Sequence, residues 1–118
     1  MQWYKRALAG YEKTLGKDHP STLFTVHNIA AVFSHQNKYD KAMQWYKRAL
    51  AGKEKALGKN HPLTLYTIYN IAIIFDNQGR YDEVIQWYKR ALAGYEKALG
   101  KDHLSTLAVA ECLRSKNN

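Results

Sequence analysis

The chain has 118 residues, 46% hydrophobic and 24% charged, which suits a folded domain with a core and excludes the disordered class. A formal net charge of +8 admits acidic partners. No apolar run reaches the roughly 20 residues of a membrane helix, and no charged-then-apolar export signal opens the chain.

The first segment, "QWYKRALAGYEKTLGKDHP", starts at Gln2. Tyr4, Leu8, Tyr11 and Leu15 recur at helical spacing and predict a helix with one apolar stripe. It runs into "LGKDHP", Leu15 to Pro20, whose Gly-Lys and Asp-His pairs raise the question of a phosphate or metal site. The same residues also read as a joint. Gly16 ends a helix as its C′ residue, Lys13 and Lys17 sit near the negative helix end, and Pro20 opens the next helix. A phosphate loop needs GxxxxGK[ST] after a strand, and no strand is predicted here.

"STLFTVHNIAAVFSHQNKYDKAM" follows, with Leu23, Val26, Ala30 and Phe33 as the apolar stripe of a second helix type. Asn37 tolerates the left-handed conformation that closes it, and Asp40 suits the start of the next helix. "QWYKRALAGKEKALGKNHP" then begins at Gln44, a period of 42 residues. "LTLYTIYNIAIIFDNQGRYDEVI" repeats the second type through Leu65, Ile68, Ala72 and Phe75, with Gly79, Asp82 and Glu83 at the following joint. "QWYKRALAGYEKALGKDHL" begins at Gln86. The final segment, "LSTLAVAECLRSKNN", diverges: Arg114 stands where Ala30 and Ala72 stood, and Asn117 where Phe33 and Phe75 stood.

A 42-residue period of helix pairs predicts an all-α α-solenoid of six helices, in which the first helix type, B, and the second, A, alternate as B-A-B-A-B-A. The expected division is a half-repeat over 1–18, repeats over 19–60 and 61–102, and a capping A helix over 103–118. The first B helix keeps the sequence of an interior copy, so its apolar edge is expected to be exposed, which suggests head-to-tail self-association. Arg114 and Asn117 argue against long fibres. His19, His61 and His103 lie a full repeat apart and are not expected to share a metal ion, so no metal or other cofactor is expected.

"NIAAVFSHQNKYDKA" (Asn28 to Ala42) and "NIAIIFDNQGRYDEV" (Asn70 to Val84) resemble the tetratricopeptide repeat pattern N-L-G-x-x-Y-x-x-x-G-x-Y-x-x-A. The resemblance covers essentially the whole chain. Asn37 replaces the usual Gly and Val84 the usual Ala, and the family proline has moved to the start of the A helix. The family unit has 34 residues; the longer one here is similar to the kinesin-light-chain subclass and to repeat arrays of fungal NLR-type (STAND) NTPases. The resemblance implies a right-handed α-solenoid and a non-enzymatic scaffold whose A helices line a concave face that binds a peptide or protein segment. The matching residues are Phe24, His27, Ala31, Ser34 and His35 in the first repeat. In the second they are Tyr66, Tyr69, Ile73, Asp76 and Asn77, and in the last helix Ala108 and Glu111.

All five positions differ between the two full repeats, whereas the B helices are near copies apart from Tyr11, Lys53 and Tyr95. A ligand-reading face would vary in this way, and so would a solvent-exposed face free to drift. No Lys or Arg occupies a groove position, so the two-repeat clamp that grips a C-terminal carboxylate in some family members is not carried over. Lys5, Arg6, Lys47, Arg48, Lys89 and Arg90 lie on the B helices, near Glu12, Glu54 and Glu96. Without interleaved base-stacking aromatics this stripe reads as a solvated face, which argues against nucleic acid. Catalysis is not expected either. His27 and His35 stand roughly 12 Å apart by helix rise, and Asp76 has no evident partner in the sequence. Cys112 is the single cysteine; one thiol closes no internal disulfide, which fits a reducing, cytoplasmic setting, and it reads as a half-buried structural thiol.

Overall fold

The computed structural model describes residues 1–117, with side chains as far as Lys116. Among these residues there are six α-helices and no strand: α1 (Gln2–Leu15), α2 (Pro20–His35), α3 (Tyr39–Leu57), α4 (Pro62–Asn77), α5 (Tyr81–Leu99) and α6 (Leu104–Asn117). The B helices are α1, α3 and α5; the A helices are α2, α4 and α6. Both α3 and α5 have 19 residues, against 16 in α2 and α4, so the extra length of the repeat lies in the B helix.

The chain divides into two compact units, Met1–Gly58 and the remainder from Lys59. In the first, α2 packs on both α1 and α3; in the second, α5 packs on both α4 and α6. The apolar stripes find their expected places. Leu23, Val26, Ala30 and Phe33 of α2 are buried, as are Leu65, Ile68, Ala72 and Phe75 of α4. Each large side chain so buried contributes about 1.5–3 kcal/mol. Ala30, Ala42, Ala49, Ala72 and Ala91 are 0% exposed and let helix backbones approach.

The joint "LGKDHP" is built from backbone requirements. Gly16, Gly58 and Gly100 cap α1, α3 and α5 at φ 92°, 96° and 90° with ψ 166°, 161° and 162°, a region open essentially to glycine alone. This is a more extended turn than a left-handed C′ residue makes. The Gly16 N–H donates to the carbonyls of Tyr11 and Glu12, and its own carbonyl accepts from Thr22 Oγ1 at 2.7 Å. Thr106 Oγ1 donates likewise to the Gly100 carbonyl at 2.8 Å. The histidine supplies the N-cap: Nδ1 of His19, His61 and His103 accepts from the N–H of Ser21, Leu63 and Ser105, each at 3.1 Å. Pro20 and Pro62 occupy the first helical turn, where a missing N–H costs nothing. At the other joints Asn37 and Gly79 take φ 61° and 72°. The next residue's N–H closes back onto Phe33 and Phe75 at 2.9 Å, a Schellman-type end.

The first and last helices depart from the interior ones. Leu8 is the one buried residue of α1, while Trp3, Tyr11 and Leu15 are exposed. The counterparts of Tyr11, Lys53 and Tyr95, are only 7% and 6% exposed. On α6 Arg114 is solvent-facing and pairs with Glu111 at 3.1 Å, as a polar outer face requires. Leu104 and Leu107 nevertheless remain exposed apolar residues, so the first half of α6 keeps an apolar edge. The side chain of Asn117, the other expected polar replacement, lies outside the described residues.

Candidate functional site

Each A helix presents its groove positions separately, and within each unit they divide into exposed and half-buried residues. On α2, Phe24 and His35 are exposed, whereas His27, Ala31 and Ser34 are half-buried. On α4, Tyr66 and Asn77 are exposed, whereas Tyr69, Ile73 and Asp76 are half-buried. On α6, Ala108 and Glu111 are exposed. Phe24 leaves 66% of its surface in solvent and Tyr66 49%, at equivalent positions one turn from His27 and Tyr69.

The half-buried residues lean on the B helix that follows. The His27 ring meets Tyr46 of α3 edge-on, with centroids 5.2 Å apart. Tyr69 meets Tyr88 of α5 at 5.8 Å, tilted by 48°. On α3 Lys53 is only 7% exposed, the one charged side chain among the described buried residues. Burial lowers the Lys53 ammonium below its ordinary range. Burial, and then the charge of Lys53, push His27 down to about 4, so its imidazole is neutral at pH 7. In the second unit the equivalent pair is Tyr69 and Tyr95, and burial raises both hydroxyls above their ordinary range. The two A-helix faces thus lie in different surroundings: a neutral imidazole in the field of a buried ammonium in one, phenols in the other.

Asp76 has a partner that its own neighbourhood in the sequence does not reveal. Lys116 of α6 reaches it with Nζ–Oδ1 at 2.8 Å and also lies over the Tyr81 ring, 5.7 Å from its centroid. The hydrogen bond to Asp76 raises the Lys116 ammonium above its ordinary range. A cation therefore reaches a groove position from outside the five-residue pattern. Cys112 is half-buried, its Sγ 4.0 Å from the Tyr69 hydroxyl. Among the described residues no three His, Cys, Asp or Glu side chains come together as metal ligands.

On the B helices the basic stripe is partly engaged. Arg48 binds Glu12 at 2.9 Å, tying α3 to α1, and its guanidinium stacks 5.3 Å from the Trp45 centroid. Arg90 stacks likewise on Trp87 at 5.2 Å. Lys5, Arg6, Lys47 and Lys89 face solvent. The residues that sequence reasoning missed are Lys53, Lys116 and the histidine caps. Lys53 did carry a signal, as the single non-tyrosine at its position in the three B copies.

The tetratricopeptide repeat family pattern matches residues 2–55 and again residues 64–105. Among curated proteins no relative matches. Among solved structures, a Podosopora anserina protein described as a kinesin light chain with nearly identical TPR-like repeats is 24% identical over 98% of this chain and 55% of its own, with a TM-score of 0.83. A single-substitution variant of that protein gives a TM-score of 0.82 at 24% identity, over 98% of this chain and 54% of its own. BtubC (BKLC) from P. vanneervenii is 15% identical over 98% of this chain and 54% of its own, with a TM-score of 0.73. The chain spans about half the length of these structures, and at such identities they establish the fold, an all-α repeat solenoid. With one family match lying in each of the two three-helix units described above, the chain belongs to the tetratricopeptide repeat family.

Proposed function

We propose that this chain is an interaction scaffold whose A-helix faces each bind a peptide or protein segment, with Phe24 the anchor on α2 and Tyr66 the anchor on α4. The family is a non-catalytic scaffold family whose repeats generally bind protein partners. Among the described residues no helix is long and apolar enough to cross a membrane. The observation that carries the reading is the pair of large aromatic side chains at equivalent positions, 66% and 49% exposed. Aromatic residues of this kind supply large contact area at little entropic cost and dominate interface energetics. His27 and Tyr69, one turn further on, give the two faces different polar character and hence different side-chain preferences. The partner is read by shape and aromatic contact, with no reaction.

Selection of peptides from a random library against the 118-residue chain, followed by fluorescence anisotropy, tests this. Phe24→Ala and Tyr66→Ala are each expected to weaken a selected peptide by about tenfold, with the helical spectrum unchanged. Peptides that bind equally well to both variants and to His27→Ala and Tyr69→Ala would place the binding surface elsewhere and sink the reading.

A further inference from the structure

The contacts between an A helix and the following B helix are built alike in both units. Leu23 of α2 fills a notch left by Gly52 on α3, and Leu65 of α4 fills that of Gly94 on α5. A Cβ at either glycine would run into the leucine's Cδ2. In the first unit two ion pairs flank this packing. Glu12 meets Arg48 at 2.9 Å, and Lys55 meets Asp18 at 3.2 Å.

One half of each contact is also present on α1, and the other half on α6 and the segment before it. Gly10 stands on α1 in the register of Gly52, and nothing lies within 4 Å of where its Cβ would be. Leu107 stands on α6 in the register of Leu23 and Leu65, yet it is 49% exposed against their 4% and 1%. Arg6 and Lys13 repeat Arg48 and Lys55; Glu96 and Asp102 repeat Glu12 and Asp18. Notch matches knob, and both cations match carboxylates, at the spacings the internal contacts use, because α1 shares "QWYKRALAG" with α3 and α5.

We propose that copies of this chain associate in series, α6 of one copy seated on α1 of the next. Leu107 enters the Gly10 notch, and Glu96–Arg6 and Asp102–Lys13 pairs form beside it. The contact is heterologous, using different surfaces on the two copies, so it does not by itself stop at two. It uses the first half of α6. Further along, Arg114 stands where Ala30 and Ala72 are 0% exposed, and that bulk holds the second half apart. The association is therefore weak, with dissociation constants of about 10–1,000 μM.

Sedimentation of the 118-residue chain from about 5 μM to about 1 mM, spanning that range, is the test. The weight-average mass is expected to rise with concentration and to fall back in high salt. Gly10→Ala and Leu107→Asp are each expected to weaken association about tenfold or more. Both leave the monomer folded, since one adds a methyl to open space and the other changes an exposed side chain. Glu96→Arg weakens it as well, and adding Arg6→Glu in the same chain restores it. A monomeric mass throughout the range overturns the proposal, and so does an association that neither Gly10→Ala nor Leu107→Asp moves.

Discussion

Three glycines in one sequence context test how the A and B helices fit. Gly10, Gly52 and Gly94 all end "QWYKRALAG", all lie inside a helix, and differ in what stands over them. Substitution by alanine favours a helix interior by about 0.5–1 kcal/mol at every one of them. At Gly52 the new methyl collides with Leu23 Cδ2 and approaches Asp18 Oδ1 at 3.3 Å; at Gly94 it collides with Leu65 Cδ2 and approaches Asn60 Oδ1 at 3.2 Å. Forcing a methyl into such a buried contact costs about 1–3 kcal/mol. The helix term cancels between sites, so Gly52→Ala and Gly94→Ala are each expected to be about 1–3 kcal/mol less stable than Gly10→Ala. Gly10→Ala itself gains about 0.5–1 kcal/mol. Urea unfolding followed by circular dichroism at about 1 μM, an order of magnitude below the proposed association range, measures all three. Leu23→Ala in the Gly52→Ala background should recover the collision term as a favourable coupling. Equal stability changes at all three glycines, or additivity in the double variant, would refute the notch.

The neutral imidazole of His27 makes stability depend on pH. Its unfolded value is 6.5 and its folded value about 4, so between these the unfolded chain binds more protons and the native state loses stability as pH falls. The full shift corresponds to about 3 kcal/mol, reduced to about 1–2 for a half-buried ring. Urea unfolding at pH 7 and 4.5 should show that loss, and His27→Tyr, the residue the second unit carries, should flatten it; a flat native profile counts against the burial of His27. His61→Ala removes the Leu63 N-cap and is expected to cost about 1 kcal/mol in thermal melts, whereas His61→Asn keeps most of it. An undiminished melting temperature in His61→Ala would show that the cap contributes nothing. Asp76→Asn should raise amide exchange in the last turn of α6, as 0.5 M salt (about a 4 Å screening length) does in the native chain. Unchanged exchange would mean that Lys116 does not hold that turn.

The fold was legible because the period repeats both what packs and what interrupts packing. Leu23, Ala30 and Phe33 recur as Leu65, Ala72 and Phe75, and glycine recurs where φ near 90° admits little else. The role of His19 was not legible in the same way. A metal ligand and an N-cap both use the lone pair of a ring nitrogen, so spacing alone does not separate them. Local geometry does, because Nδ1 stands 3.1 Å from the N–H two residues on. The burial of Lys53 was not legible for a different reason. A lysine on a mostly polar helix reads as solvated, and its burial depends on α2 lying across it, a fact of packing between segments far apart in sequence. Lys116 escaped notice because it occupies the diverged part of α6, where no repeat copy predicts what it meets.

These displaced residues decide how to read the variable face. His27 and Lys53 change together, to Tyr69 and Tyr95 in the second unit, and the charge of the buried Lys53 acting on His27 supplies a reason. A second cation at position 27 would be disfavoured near the buried Lys53, which suits an imidazole that stays neutral; near Tyr95 a phenol packs without charge. Variation at that position therefore answers to an internal constraint and does not by itself announce a ligand. Phe24 and Tyr66 differ in kind from these. Burial does not account for an aromatic ring that leaves about half or two thirds of its surface in water at the two equivalent positions, when a small or charged residue would cost less solvation. The case for peptide binding therefore rests on the two exposed rings, with His27 and Tyr69 setting the character of the surface beside them.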